Sequence, residues 1–196
     1  MSAFTEIGIY LIQAIANFYL LLVLVRFLLQ LCKANFYNPI SQFVVKITAP
    51  PMAPLQKIFP PFNNFNSACM VLAVIVQMLA IQSSAFVYSG NLIPILSSLT
   101  WSVLGITTLL LSIYFYGLLI VIVLSWVAPQ SRHPAIALLW QLMEPIMAPF
   151  RKLIPPLGGL DLSPILMFML LNVLRILVRN LAQSAQLPPL FVPGIM

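Results

Sequence analysis

From Ile58 to Ser131 the chain carries no Asp, Glu, Lys or Arg. No water-soluble fold of this size hides so long an apolar stretch behind polar groups, so the interval must dissolve in lipid and hold at least two membrane crossings. Inside a bilayer every backbone N–H and C=O must be satisfied within the protein, which leaves helices as the economical solution for such runs. The rest of the composition agrees, with 62% hydrophobic residues against 6% charged ones and a mean hydropathy of +1.06. The net charge of +6 does not point to nucleic acid, because the nine basic residues are scattered and form no stripe. Anionic lipid headgroups are the expected counter-charges.

Four spans follow from the apolar runs. The first covers about 7–31, interrupted only by Gln13, Asn17, Arg26 and Gln30. The opening "MSAFTEIGIYL" has no basic leader region or small-residue cleavage site, so this run is expected to be retained as a span. The second covers about 68–88 and ends at the turn-forming "SGNLIP". The third lies within 92–126, which exceeds one crossing. Part of "LIPILSSLT" is therefore placed at the interface before a span over about 100–126, and two crossings joined by a tight hairpin are the competing reading. The fourth covers about 164–181 and opens with Pro164, whose missing N–H costs nothing in a first turn. The tail "QLPPLFVPGIM" is too proline-rich to fold alone.

Orientation follows from the basic residues between spans. The first connecting segment holds Lys33, Lys46 and Lys57, the second none, and the third Arg132, Arg151 and Lys152. The positive-inside rule places the first and third segments in the cytoplasm and both termini in the periplasm, with Arg175 and Arg179 counting against it.

Those two basic segments share a phrase. "APPMAPLQKIFPP" at 49–61 and "EPIMAPFRKLIPP" at 144–156 align at an offset of 95 residues, and seven of the twelve positions from Pro50 to Pro61 are identical. Two spans separate equivalent positions, so the copies are expected to be parallel repeats, 1–90 and 91–196, related by an axis along the membrane normal. Within each copy the spacing is helical and one-sided. Ile40, Phe43, Val44 and Ile47 oppose Ser41, Gln42 and Lys46, and Ala135, Leu138, Leu139 and Leu142 repeat the pattern. Leu55, Ile58 and Phe59 follow Pro54, and Phe150, Leu153 and Ile154 follow Pro149. Segments 39–61 and 134–156 thus read as short amphipathic helices in the membrane interface, started and stopped by prolines. Lys46, Lys57, Arg151 and Lys152 would face lipid phosphates. The fold class expected is all-α, four transmembrane helices in two parallel repeats, with interfacial helices between the spans of each.

The phrase "P-x-MAP-hydrophobic-x-K-hydrophobic-hydrophobic-PP", preceded by "NP" or "HP" and followed by "GGLDLSPI", resembles the duplicated YggT family of bacterial inner-membrane proteins, with YlmG-type relatives in cyanobacteria and plastids. The resemblance implies a multi-pass inner-membrane protein linked to envelope maintenance, division-linked gene neighbourhoods and osmotic stress tolerance, and to membrane-complex assembly in plastids. It brings no catalytic residues. The family's arginine near the cytoplasmic end of the first span matches Arg26, whereas Val121 stands at the equivalent place in the second repeat, and "GGLDLSP" becomes "NNFNSAC" in the first.

Chemistry-bearing residues are few. His133 is the only histidine and precedes Pro134 as a turn residue, and Cys32 and Cys69 form no framework. Asp161 and Ser163 precede Pro164, where they can cap a helix; an ion or a lipid amine is the alternative ligand for the carboxylate. Glu144 pairs locally or meets water. Three acidic residues and one histidine, unclustered, make no acid–base pair or triad, so neither an enzyme nor a cofactor is expected. Arg26, Arg175 and Asn172 are the span residues to watch, because a guanidinium or amide at that depth snorkels, lines a cavity or meets a partner. Two functions fit: a scaffold or assembly factor contacting anionic lipid, other membrane proteins or further copies of itself, and a small ion channel or transporter serving osmotic stress.

Overall fold

The computed structural model describes residues 3–128, 131, 133–153, 161–192 and 194. Among the described residues there are six α-helices: α1 (Ala3–Leu31), α2 (Pro39–Ile58), α3 (Ser67–Ser89), α4 (Ile95–Val127), α5 (Pro134–Leu153) and α6 (Ser163–Ser184). A 3₁₀ turn, Pro189–Phe191, follows. Helices α1, α3, α4 and α6 are apolar and 29, 23, 33 and 22 residues long. At ~1.5 Å per residue even the shortest reaches about 33 Å, enough for a hydrocarbon layer of roughly 30 Å. The fold is an all-α membrane bundle with four candidate spans.

Local chemistry sets the boundaries. Asn38 accepts the Ile40 N–H with Pro39 in the first turn of α2, and Asn66 accepts the Cys69 N–H at the start of α3. Gly90, at φ +70°, closes α3 in the left-handed conformation that glycine adopts without strain. Helix α4 starts directly after Pro94 and runs unbroken to Val127, so residues 95–99, expected at the interface, form its first turns, and the hairpin alternative is excluded. Nothing in "ILSSLT" stops a helix once Pro94 has set its start.

The proline-laced segments differ from expectation. Each forms one 20-residue helix that continues through Pro50, Pro51 and Pro54, or through Pro145 and Pro149, with no break into short pieces. Proline's fixed φ is itself helical; what it removes is the bond to the carbonyl four residues earlier. Those carbonyls belong to Lys46, Ile47 and Pro50 in α2 and to Gln141 and Pro145 in α5, all exposed residues. Water or headgroups can serve them there, so the helices persist. The buried stripe of α2 is Ser41, Val44, Thr48 and Met52, whereas Phe43 and Ile47 point outward. Ser41, expected on the polar face, is buried because its hydroxyl donates to the Asn35 carbonyl at 3.0 Å. In α5 the buried residues are Leu138, Leu142, Met143 and Met147.

The long helices pack in the order α1–α3–α4–α6; α2 lies against α1 and α3, α5 against α4 and α6, and α2 touches α5. The main core gathers Val23, Leu24, Leu28, Met52, Ala73, Leu118, Met143 and Leu171 at the end of the bundle that carries α2 and α5. Gly117 makes room for Met143, whose Cε lies 2.7 Å from where a Cβ would stand. A second cluster at the opposite end joins Ile81, Ala85, Trp101 and Ala182 to Leu187, Phe191 and Val192. The tail from Leu187 to Val192 is therefore held by packing against the bundle and not by folding alone. Trp101 donates its indole N–H to the Ala185 carbonyl at 2.9 Å, and Phe191 stacks on Trp101 with ring centroids 6.3 Å apart. Val192 fits over Gly105, where a Cβ would lie 3.0 Å from its Cγ1.

Candidate functional site

Arg26 lies in the half of α1 that faces the first core. Its Nη1 donates to the Thr48 hydroxyl at 2.8 Å and to the Val45 carbonyl at 3.2 Å, and Thr48 donates in turn to the Val44 carbonyl at 2.7 Å. A guanidinium in a span needs acceptors that cost the bilayer nothing. Here α2 supplies them, so Arg26 ties α1 to α2.

Arg175 occupies a different setting on α6. Its guanidinium stacks over the Phe115 ring at 4.2 Å and donates to the Ser112 hydroxyl at 3.4 Å, both on α4. Beside it opens a cavity of about 520 Å³ lined by Thr108, Ser112, Tyr116, Asn172, Arg175 and Arg179 among others. Gly194, on the returning tail, contributes to the same wall. Asn172 and Arg179 are exposed at its edge. The cavity joins Arg175 and Asn172 in one place and leaves Arg26 outside it.

Arg151 has two acidic partners. Its Nη1 meets Glu144 at 2.6 Å and its Nε meets Asp161 at 2.9 Å, linking α5 to the start of α6. Burial pushes the Asp161 carboxyl up, but hydrogen bonds from Ser163 and Arg151 together with the Arg151 charge outweigh it and hold the group below the usual carboxylate range. Asp161 also accepts the Ser163 N–H at 2.9 Å, while Leu162 stands in the capping position without a side-chain bond and Ser163 is buried as the first helical residue. Lys46, Lys57 and Lys152 are exposed and form no ion pair with any described residue. Arg132, Ile154 and the "PPLGGL" between Ile154 and Asp161 lie outside the described residues.

Sequence reasoning missed a set of uncharged bonds. Gln13 donates to the Ser84 hydroxyl at 2.8 Å across α1 and α3, and Asn66 to the Gln30 side-chain oxygen at 2.8 Å. The Asn38 amide reaches the Pro134 carbonyl at 2.7 Å, and Gln141 accepts the Asn35 N–H at 2.8 Å, joining the two proline-bearing segments. The only signal was that amides recur in otherwise apolar runs, which names no partners. Among the described residues no three His, Cys, Asp or Glu side chains come together as a metal site.

Comparison with known proteins covers nearly the whole chain. The CCB3/YggT family profile matches residues 5–84 and again 100–182. The chain is 42% identical to an uncharacterized protein of Pseudomonas aeruginosa over 96% of both chains, and 32% identical to the uncharacterized protein YggT of Escherichia coli K12 over 95% of both. It is also 47% identical to YlmG homolog protein 2, chloroplastic, of Arabidopsis thaliana, across 32% of this chain and 24% of that protein. No solved structure matches significantly. Four apolar helices, two proline-bearing helices between them and relatives matched from end to end place this chain in the CCB3/YggT family of membrane proteins.

Proposed function

We propose that this protein is a non-enzymatic scaffold or assembly factor of the bacterial inner membrane, acting in envelope maintenance or stress tolerance. The observation that carries the reading is where the polar groups go. Gln13, Gln30, Arg26 and Asn66 bond within the bundle. Helix α2 instead turns Phe43, Ile47 and Ile58 outward beside Lys46 and Lys57. That combination suits the headgroup layer, with apolar side chains entering lipid and ammonium groups meeting phosphate. Arg151 is committed to Glu144 and Asp161, so Lys46, Lys57 and Lys152 are the better headgroup contacts. Two parallel repeats remain the simplest account of the twofold profile match and of the contact between Asn38 and Pro134, which stand at nearly equivalent positions.

The competing reading is a small ion channel or transporter active in osmotic stress, and the cavity beside Arg175 is the feature that favours it. Two arginines at its wall oppose cation passage. Purified protein in liposomes should therefore show no sodium or potassium flux above empty liposomes, while mild extraction from native membranes should recover specific membrane-protein partners by mass spectrometry. Reproducible flux lost in Asn172→Leu reverses the choice.

The proposed orientation places α2 and α5 at the cytoplasmic face and both termini in the periplasm, the arrangement that the excess of basic residues in the first and third connecting segments supports. Reporter fusions after Gly90 and at the C-terminus should both read periplasmic; a cytoplasmic reading at either refutes it.

A further inference from the structure

We propose that the α4–α6 cavity is a binding site for a phosphate group carried by an anionic membrane lipid, entering from the side of the bilayer where α6 ends. The reason begins with charge. Arg175 and Arg179 lie one helical turn apart on α6 at the cavity wall, and the described residues offer neither of them an acidic partner. The whole chain has only three acidic residues, and two of them, Glu144 and Asp161, are held by Arg151 at the far end of α6. Two guanidinium groups in a span without a counter-charge are costly, so the anion must come from outside the described fold.

Geometry narrows the choice. Arg175 sits about 18 Å along α6 from Ser163 and about 14 Å short of Ser184, and Arg179 about 8 Å short of that end, at ~1.5 Å per residue. An arginine stem can extend several ångströms toward the headgroup layer, and a lipid phosphate can be drawn inward to meet it. The Arg175 face lies on Phe115, which fixes its plane and leaves its edge for acceptors; Ser112 takes one donor, at 3.4 Å. A planar guanidinium edge matches the oxygens of a phosphate. Asn172 and Tyr116 add neutral donors at the same wall, and Leu111, Ile176 and Val178 give an apolar side against which acyl chains can lie. The cavity, about 520 Å³, is the right scale for a headgroup. It is a separate site from the lysines of α2, and it does not depend on which face of the membrane is cytoplasmic.

The test uses the full chain in a neutral detergent, with native mass spectrometry counting bound lipid during titration with phosphatidylglycerol, phosphatidylcholine or inorganic phosphate. Wild type should hold phosphatidylglycerol in preference to phosphatidylcholine, and R175Q/R179Q should lose that preference at least tenfold. Tyr37→Ala, exposed just ahead of α2 and remote from the cavity, should keep it. Should the arginine pair variant fail to fold, Arg179→Gln alone, at the exposed edge, must lower the preference at least threefold. Displacement of phosphatidylglycerol by millimolar inorganic phosphate, dependent on Arg175, assigns the same phosphate chemistry to a free anion and overturns the lipid as its source. Retained preference in both arginine variants, or its loss in Tyr37→Ala, overturns the site.

Discussion

Phe191→Ala is expected to destabilise the protein by about 3–4 kcal/mol, the lower part of the range for a buried Phe because lipid can partly refill the space. The ring is 6% exposed, stacks on Trp101 and meets Tyr88 edge-on with centroids 6.1 Å apart. It also anchors the returning tail, which carries Leu187 and Val192 into the same cluster. Losing it should free the tail as a unit, so Trp101 fluorescence should shift to the red together with the fall in thermal midpoint in lipid nanodiscs. Tyr37→Ala, at a side chain 89% exposed, serves as the control and should change neither. A midpoint within experimental error of wild type would falsify the docked tail.

That tail shows where sequence reading stops. "QLPPLFVPGIM" has no helical or strand period, so nothing in it announces a packing surface; the surface exists because Gly105 lacks a Cβ under Val192 and because Trp101 offers an indole face. Membrane spans are the opposite case. A run of ~20 predominantly apolar residues is itself what crossing lipid requires, and the four apolar helices fall on the four apolar runs. The proline segments were legible as helical but not as continuous. Proline's cost depends on whether the freed carbonyl can find another donor, and that depends on which side of the helix is exposed. Arg151 illustrates partners at two ranges. Glu144, seven residues away on the same helix, was within reach of the reading, whereas Asp161 lies beyond a segment whose course the sequence does not specify. The cavity at Arg175 needed the register of α4 against α6, set by Phe115 packing on Phe168 with centroids 5.1 Å apart.

Arg26→Met is expected to cost about 2–3 kcal/mol, because it removes charge-assisted bonds worth roughly 1.5–3 kcal/mol and leaves Thr48 without its donor. Methionine keeps the length and apolar stem of the side chain, so the change isolates the guanidinium. The bonds run to Thr48 at 2.8 Å and Val45 at 3.2 Å, both on α2, and α2 carries three prolines whose freed carbonyls lower its own helical stability. Arg26 is thus the polar clamp that holds a weakened helix to the bundle. Thr48→Val, which preserves shape and removes the hydroxyl, should cost about 1–3 kcal/mol by leaving the guanidinium with one acceptor. The double variant should be less damaging than the sum, with a coupling of roughly 1–2 kcal/mol, since each substitution removes the same contact. Hydrogen exchange should place the loss in α2, whose amides open first when the clamp is gone. An arginine that only snorkels to phosphates predicts the reverse: Arg26→Met near neutral in detergent and no coupling to Thr48. Because α2 bears the exposed Phe43, Ile47, Lys46 and Lys57, partner recovery should fall in Arg26→Met and in Thr48→Val alike, although neither residue lies on that surface.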